Sequence, residues 1–157
     1  MTDATTSSSS NDAERTVRPD AALSDDAVEL FRRRGVGALA EKMGIEILEM
    51  SAERAVGRMP VEGNTQPMGL WHGGASCVLV ETLGSIGAAA HARPERVAVG
   101  VDINATHHRS VRSGWVTGTA TAIRLGRAVA SYEVVLTDDD GRRVCTARLT
   151  CQLVDPR

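Results

Sequence analysis

Residues 71–91 read WHGGASCVLVETLGSIGAAAH, and this stretch decides the fold. Nearly every position from Gly73 onward is apolar or small, over a run too long for one strand and rich in the alanine and leucine that favour a helix. Gly84 and Gly87 weaken that reading by roughly 1 kcal/mol each relative to alanine, yet glycine in a helix also lets a neighbouring group come close. A helix apolar on nearly all sides must be buried on nearly all sides. The rest of the chain has to cover it.

Downstream of Pro94 the pattern becomes strand-like, over residues 97–105, 115–124, 128–137 and 142–154, with Asp138, Asp139, Asp140 and Gly141 as a hairpin turn between the last two. In the final strand Cys145, Ala147, Leu149, Cys151 and Leu153 alternate with Thr146, Arg148, Thr150 and Gln152, so one face is dry and one wet. Upstream lie two extended segments, 45–50 and 55–61, parted by a charged turn at Glu53 and Arg54, then a loop holding Gly63, Asn64, Gln66, Pro67 and Gly69. Before these, Ser24 with Asp25 and Asp26 predicts a helix start. That helix carries Ala27, Val28, Leu30 and Phe31, loosens near Gly35 and Gly37, resumes through Leu39, Ala40 and Met43, and ends at Gly44. Residues 1–22 are a Ser/Thr/Asp-rich tail, expected to be disordered because it buries too little apolar surface to offset its ordering entropy. Residues 23–157 then form one domain of the α+β class, an antiparallel sheet wrapped around a long central helix. A doubly wound parallel sheet needs more helices than this sequence has.

The chain has 157 residues, 42% hydrophobic and 24% charged, with a formal net charge of -2. That balance gives no electrostatic reason to expect nucleic acid or an anionic membrane as a partner. The N-terminus lacks the apolar stretch of a signal peptide, and no later run reads as a membrane span, which predicts a cytoplasmic location. Cys77, Cys145 and Cys151 are odd in number and lack CxxC spacing, so they read as small buried apolar residues, with neither a disulfide framework nor a metal site expected.

Glu81 is the only Asp, Glu, Lys or Arg between His72 and His91. Burial disfavours an ionised carboxylate and raises its pKa, a tuning that suits a general base or a carboxylate nucleophile. A glutamate at the helix rim, reaching water or an arginine, fits the same residues. Gly73 and Gly74 leave the first backbone N–H groups without side-chain cover, at the positive end of the helix dipole, where a developing oxyanion could sit. His72 and Gln66 could add donors, or be a cap and an ordinary loop residue. Glu81 lies eight residues after Gly73, roughly 12 Å along a helix axis and too far for both to act on one carbonyl. An antiparallel second copy of the helix could bring its N-terminus beside Glu81, giving a site shared across a symmetric dimer. Ser85, one turn after Glu81, could hold the carboxylate or a water.

HGGASCVLVETLGS, preceded by TQPMGLWH and followed by VGVDINATHHRSVRSG, resembles the hotdog-fold thioesterases of the PaaI type over roughly residues 40–154. Within them it is most similar to the aryl-CoA branch, with its dihydroxynaphthoyl-CoA hydrolases, enterobactin-pathway proofreading thioesterases and Arthrobacter-type hydroxybenzoyl-CoA thioesterases. The resemblance implies hydrolysis of acyl-CoA, the acyl group being of hydroxybenzoyl, phenylacetyl or dihydroxynaphthoyl type, with acyl-carrier-protein thioesters as further candidates. It implies Glu81 as nucleophile or general base with Ser85 assisting, and Gln66, His72 and Gly73 of the neighbouring subunit polarising the thioester carbonyl. It also puts His107, His108 and Arg109 at the acyl pocket and CoA channel, Met68 among the pocket residues, and Gly126 and Arg127 near the pantetheine or nucleotide. Adjacent residues on a strand face opposite ways, so only one of His107 and His108 can point inward. No cofactor is implied beyond the CoA of the substrate, and the assembly implied is a homodimer paired into a homotetramer.

Other chemistries fit less well. Gly74 to Val78 lacks the closing glycine of a nucleophile elbow. Cys77 on an apolar helix lacks the setting that lowers a thiol pKa. A hotdog hydratase pairs a helix-borne acid with a suitably placed histidine, which His72 and Glu81 do not obviously form. A plain acyl-CoA binding module would have no use for Glu81.

Overall fold

The computed structural model describes residues 17–23 and 35–156. The strands are β1 (Val17–Leu23), β2 (Glu46–Met50), β3 (Arg54–Pro60), β4 (Val97–His107), β5 (Trp115–Leu125), β6 (Val129–Thr137) and β7 (Arg143–Val154). The helices are α1 (Ala38–Lys42) and α2 (Gly73–Ala92). One sheet runs in the order β1-β2-β3-β5-β6-β7-β4, antiparallel throughout except for β1, which pairs parallel with β2. It wraps around α2, which touches every strand from β2 to β7. This is the hotdog fold.

The sheet covers α2 because the strands present their dry faces to it. Leu79, Val80 and Leu83 of α2 are fully buried, as are Val116 and Ala120 of β5, Tyr132, Val134 and Leu136 of β6, and Leu149 and Cys151 of β7. Burying a leucine of this kind contributes roughly 1.5–3 kcal/mol. The two helical glycines are sites of close approach. A β-carbon on Gly84 would lie 3.1 Å from Leu149 Cβ, and one on Gly87 would lie 2.9–3.1 Å from the Tyr132 ring and hydroxyl. Alanine at either position would gain helix propensity and lose more to overpacking.

Three expectations need correction. Residues 17–22, assigned to a disordered tail, belong to β1, whose backbone pairs with the edge of β2; hydrogen bonding to a free sheet edge needs no apolar side chains. The helix expected from Ser24 to Gly44 is reduced in the described residues to Ala38–Lys42, because Gly35 and Gly37 adopt positive φ of 60° and 94°, which a helix cannot continue through; Ser24 to Phe31 lie outside the described residues. The long helix opens at Gly73, as expected, and Trp71 just before it bridges Thr65 and donates its N–H to the Val111 carbonyl at 2.8 Å. Finally, α2 is long and apolar enough to cross a membrane, with a mean hydropathy of 1.3; its leucines are instead enclosed by the sheet, as expected for the core helix of a wrapped fold.

The β6–β7 hairpin turns as expected, and Asp138 organises it. Asp138 Oδ1 accepts the N–H groups of Asp140 and Arg142 at 3.1 and 2.9 Å, and Oδ2 accepts Arg142 Nε at 2.8 Å. Burial pushes this carboxyl up, but the Arg142 backbone and guanidinium bonds, the Arg142 charge and the Asp140 N–H outweigh it and hold it below its ordinary value. A carboxyl lowered in the folded state stabilises the fold above its unfolded pKa and loses that contribution as pH falls through its folded pKa. Asp138→Asn is therefore expected to melt below the parent at pH 7, and the gap should close on acidification below about pH 4; melting curves from pH 7 to 2 measure it.

Candidate active site

The loop before α2 is held by both side-chain and backbone hydrogen bonds. Asn64 Nδ2 donates to the carbonyls of Met43 and Pro60, both at 2.9 Å, and the Asn64 carbonyl accepts His72 N–H at 3.0 Å. Gln66 is fixed at both levels: its N–H donates to the Leu70 carbonyl at 2.8 Å, and its side-chain Oε1 accepts Met68 N–H at 2.7 Å. With Oε1 occupied, the free end of the Gln66 amide is its NH2, a donor. Met68 projects from the same turn and is 76% exposed. Trp71, buried, donates its indole N–H to Ser76 Oγ at 2.7 Å and ties the loop to the first turn of α2.

His72 caps that helix. Its Nδ1 accepts Gly74 N–H at 2.8 Å, so a neutral His72 carries its proton on Nε2, facing away from the cap. His72 is thus the cap considered for it, with a donor left over. One of the helix N–H groups expected to be free, that of Gly74, is used by the cap. The Gly73 N–H has no acceptor among the described residues. Gln66 Nε2, His72 Nε2 and Gly73 N–H are then three donors at one end of α2.

His107 meets this end from β4. A β-carbon on Gly73 would lie 3.0 Å from His107 Nε2, so the imidazole rests on the bare glycine. His108 points to the other face, where its Nε2 lies 2.9 Å from Thr146 Oγ1, a hydroxyl that also accepts Arg143 Nη1 at 3.1 Å. A bulge makes the choice. The β4–β7 register shifts between Gly100 and Asp102: Ala98 and Gly100 lie opposite the dry-face residues Leu153 and Cys151, and beyond Val101 the odd positions Ile103, Ala105 and His107 do so. Without that extra residue, strict alternation would have turned His108 inward. Arg109 follows on the exposed stretch after β4.

Glu81 lies on the helix flank that faces β4. It is half-buried, less enclosed than its apolar neighbours implied, because the strand beside it offers a glycine. Ser85 Oγ donates to Glu81 Oε1 at 3.1 Å, and among the described residues no arginine or lysine pairs with the carboxylate. Beneath it lies Cys151 of β7, the cross-strand partner of Gly100. Burial pushes the Cys151 thiol up, as does the Glu81 charge, while a hydrogen bond with Ser85 acts the other way. Burial raises Cys145 as well. Both stay protonated at neutral pH and are poor nucleophiles. Cys145 and Cys151 are buried as expected, whereas Cys77 is half-buried.

Gly126 and Arg127 lie elsewhere in this subunit. Their turn, between β5 and β6, meets the C-terminal end of α2: His91 Nε2 lies 3.0 Å from the Gly126 carbonyl, and Arg96 Nη1 donates to the Arg127 carbonyl at 2.6 Å. Nine of the eleven candidate residues therefore fall into three groups along one helix: Gln66, Met68, His72, Gly73 and His107 at its start, Glu81 and Ser85 in its middle, and Gly126 and Arg127 at its end; His108, on the opposite face, and Arg109, exposed after β4, belong to none of them. Gly100 and Cys151, which frame the carboxylate, were not singled out from sequence. A lone glycine inside a strand pattern was the available signal for the first; nothing marked the second.

A sheet wrapped around one long central helix defines a protein of the hotdog-fold class. Residues 68–145 match the family described as the Thioesterase superfamily. The chain is 42% identical over 124 residues to the proofreading thioesterase EntH of Cronobacter turicensis, covering 78% of this chain and 90% of that protein. A crystal structure of a thioesterase from Haemophilus influenzae superposes with a TM-score of 0.72 at 36% identity, covering 76% of this chain and 84% of that one. A mutant thioesterase from Pseudomonas aeruginosa gives 0.74 at 36% identity, over 82% and 94%. The chain belongs to the thioesterase superfamily.

Proposed function

We propose that this thioesterase hydrolyses aromatic acyl-CoA thioesters, of hydroxybenzoyl, phenylacetyl or dihydroxynaphthoyl type, to the free acid and CoA, as a PaaI-type enzyme of the aryl-CoA branch. The observation that carries the site assignment is the separation of its two halves. Glu81 with Ser85 sits about 12 Å along the helix from Gly73, at 1.5 Å per residue, so one subunit cannot apply both to one carbonyl. A second copy completes the site. The outer edge of β4, which no strand pairs among the described residues, supports such a pairing: Val97, Val99, Val101 and Ile103 are 37–56% exposed there, an apolar strand edge of the kind that proteins cover. The working assembly is a homodimer with two shared sites, paired into a homotetramer.

In this reading the thioester carbonyl oxygen lies at the partner's Gly73 N–H and Gln66 NH2, with the partner's His72 Nε2–H close by. The ionised Glu81 either attacks the carbonyl carbon or removes a proton from an attacking water. Both routes pass through a tetrahedral oxyanion, which fixed N–H donors stabilise more than they stabilise the ground-state carbonyl, and which collapses by breaking the C–S bond and expelling the CoA thiolate. Attack by water gives the acid at once, and attack by Glu81 gives an acyl–Glu81 anhydride that water then hydrolyses to the acid and the free carboxylate. Ser85 holds Oε1 and leaves Oε2 for the chemistry. No metal or other cofactor takes part. Met68 and His107 border the acyl group, His108 and Arg109 the mouth of the CoA channel, and Gly126 with Arg127 its nucleotide, where arginine suits phosphate. The aromatic acyl group rests on the likeness of residues 65–114 to the aryl-CoA branch. Carrier-protein thioesters are second substrates, and the enzyme works in the cytoplasm.

A panel of aromatic and straight-chain acyl-CoA and acyl-carrier-protein thioesters, assayed for free thiol, tests the substrate class. Aromatic CoA thioesters are expected to exceed aliphatic ones in kcat/KM by at least ~10-fold. Equal or higher values for the aliphatic series would reject the aryl assignment and leave thioester hydrolysis standing.

A further inference from the structure

We infer that Gly100 is a positioning residue for the Glu81 carboxylate: the absence of its side chain leaves the space in which Glu81 Oε1 meets Ser85. The inference rests on Glu81 being the catalytic carboxylate. Gly100 is not required by its own backbone, since its φ lies outside the left-handed range that seven other described glycines adopt. Nor is it required by the core of the subunit, because within one subunit it is exposed on the edge strand β4. What fills the position is the carboxylate itself. The three atoms nearest a β-carbon built on Gly100 all belong to Glu81: Oε1 in overlap, Cδ at 3.3 Å and Oε2 at 3.5 Å. Oε1 is also the oxygen that accepts Ser85 Oγ at 3.1 Å.

The nature of that neighbour sets the consequence. A β-carbon on Gly57 would meet Leu83 Cδ2 at 2.8 Å and the Glu46 carbonyl at 2.9 Å, and one on Gly84 would meet Leu149; such clashes are relieved only by moving backbone or packed core, which destabilises the fold. Against Gly100 stands the far end of a flexible side chain. A methyl group there moves the carboxylate, not the fold. Rotation of Glu81 away from β4 breaks the Ser85 bond and turns the reactive oxygen from the direction in which the partner's donors hold the carbonyl. Displacements of this size, about 1 Å, cost on the order of 100-fold in rate when they fall on reacting groups. The register shift after Gly100 serves the same geometry, since it keeps Gly100 facing Glu81 while bringing His107 to the helix N-terminus.

The test combines Gly100→Ala with Glu81→Asp, which withdraws the carboxylate by one methylene. Gly100→Ala is expected to keep the parent's melting temperature and oligomeric state, and to lose at least ~10-fold in kcat with KM changed less than ~2-fold. In the Glu81→Asp background the same alanine should change kcat by less than ~2-fold, because the atoms it displaced are no longer there. Gly84→Ala provides the contrast, a lowered melting temperature. Parental kcat in Gly100→Ala, or an equal loss in both backgrounds, overturns the inference. If Gly100→Ala assembles poorly, melting and gel filtration of the double variant decide: recovered assembly supports the carboxylate contact, and an unrecovered defect rejects it. Glu81→Gln tests the carboxylate separately, so an inactive Glu81→Gln beside a fully active Gly100→Ala removes this role from Gly100 and leaves the site reading in place.

Discussion

Glu81→Gln is expected to lower turnover by at least two to three orders of magnitude while the protein still folds and assembles. Glutamine keeps the length of the side chain and can accept the Ser85 hydroxyl through its amide oxygen, which leaves the 3.1 Å contact available. It also fits the space opposite Gly100. What it lacks is a basic, nucleophilic oxygen. Glu81 is half-buried and makes no ion pair among the described residues, so the exchange removes no buried charge partner, and stability should change little. Thiol-release kinetics, with melting and gel filtration as controls, separate the effects. Near-parental turnover in a folded variant would refute the assignment of Glu81.

Mixed dimers of Glu81→Ala and Gln66→Ala should recover activity that neither parent has. In the proposed assembly each parent homodimer carries one lesion in both of its shared sites. In a mixed dimer one site joins the intact Glu81 to the intact Gln66, and the other site holds both lesions. Random co-assembly makes about half of the dimers mixed, each with one good site of two, so roughly a quarter of wild-type activity should return. Gln66 suits this test because its side chain is anchored to its own turn through the 2.7 Å bond from Met68 N–H, while its NH2 is the group assigned to the neighbouring site. Differently tagged subunits, purified in tandem, give a demonstrably mixed population for the assay. If those dimers are as inactive as the parents, Glu81 and Gln66 serve the same subunit and the shared site is wrong.

Much of this protein is legible along the chain because the forces involved are local or periodic. The apolar run after Gly73 specifies a buried helix, and the alternation from Cys145 to Leu153 specifies a strand with one wet face. Asp138 to Gly141 specifies the hairpin between β6 and β7. Glu81 stands out by type alone, as the one carboxylate in that helix, and Ser85 follows from the helical repeat that brings residues four apart together. The spacing of Glu81 from Gly73 is the ground on which two copies of the chain are proposed. Pairing across the sheet decided the rest. Residues 17–22 carry no pattern that signals a strand, yet the free edge of β2 supplies hydrogen-bond partners for β1. The one-residue bulge at Val101 reverses which β4 side chains face the helix, and so selects His107 over His108 for the helix N-terminus. The half-burial of Glu81 depends on which residue of β4 lies opposite it, and that residue is Gly100. Residue type and period determine elements and single out one carboxylate in the central helix; register, a property of two strands together, determines what that carboxylate touches.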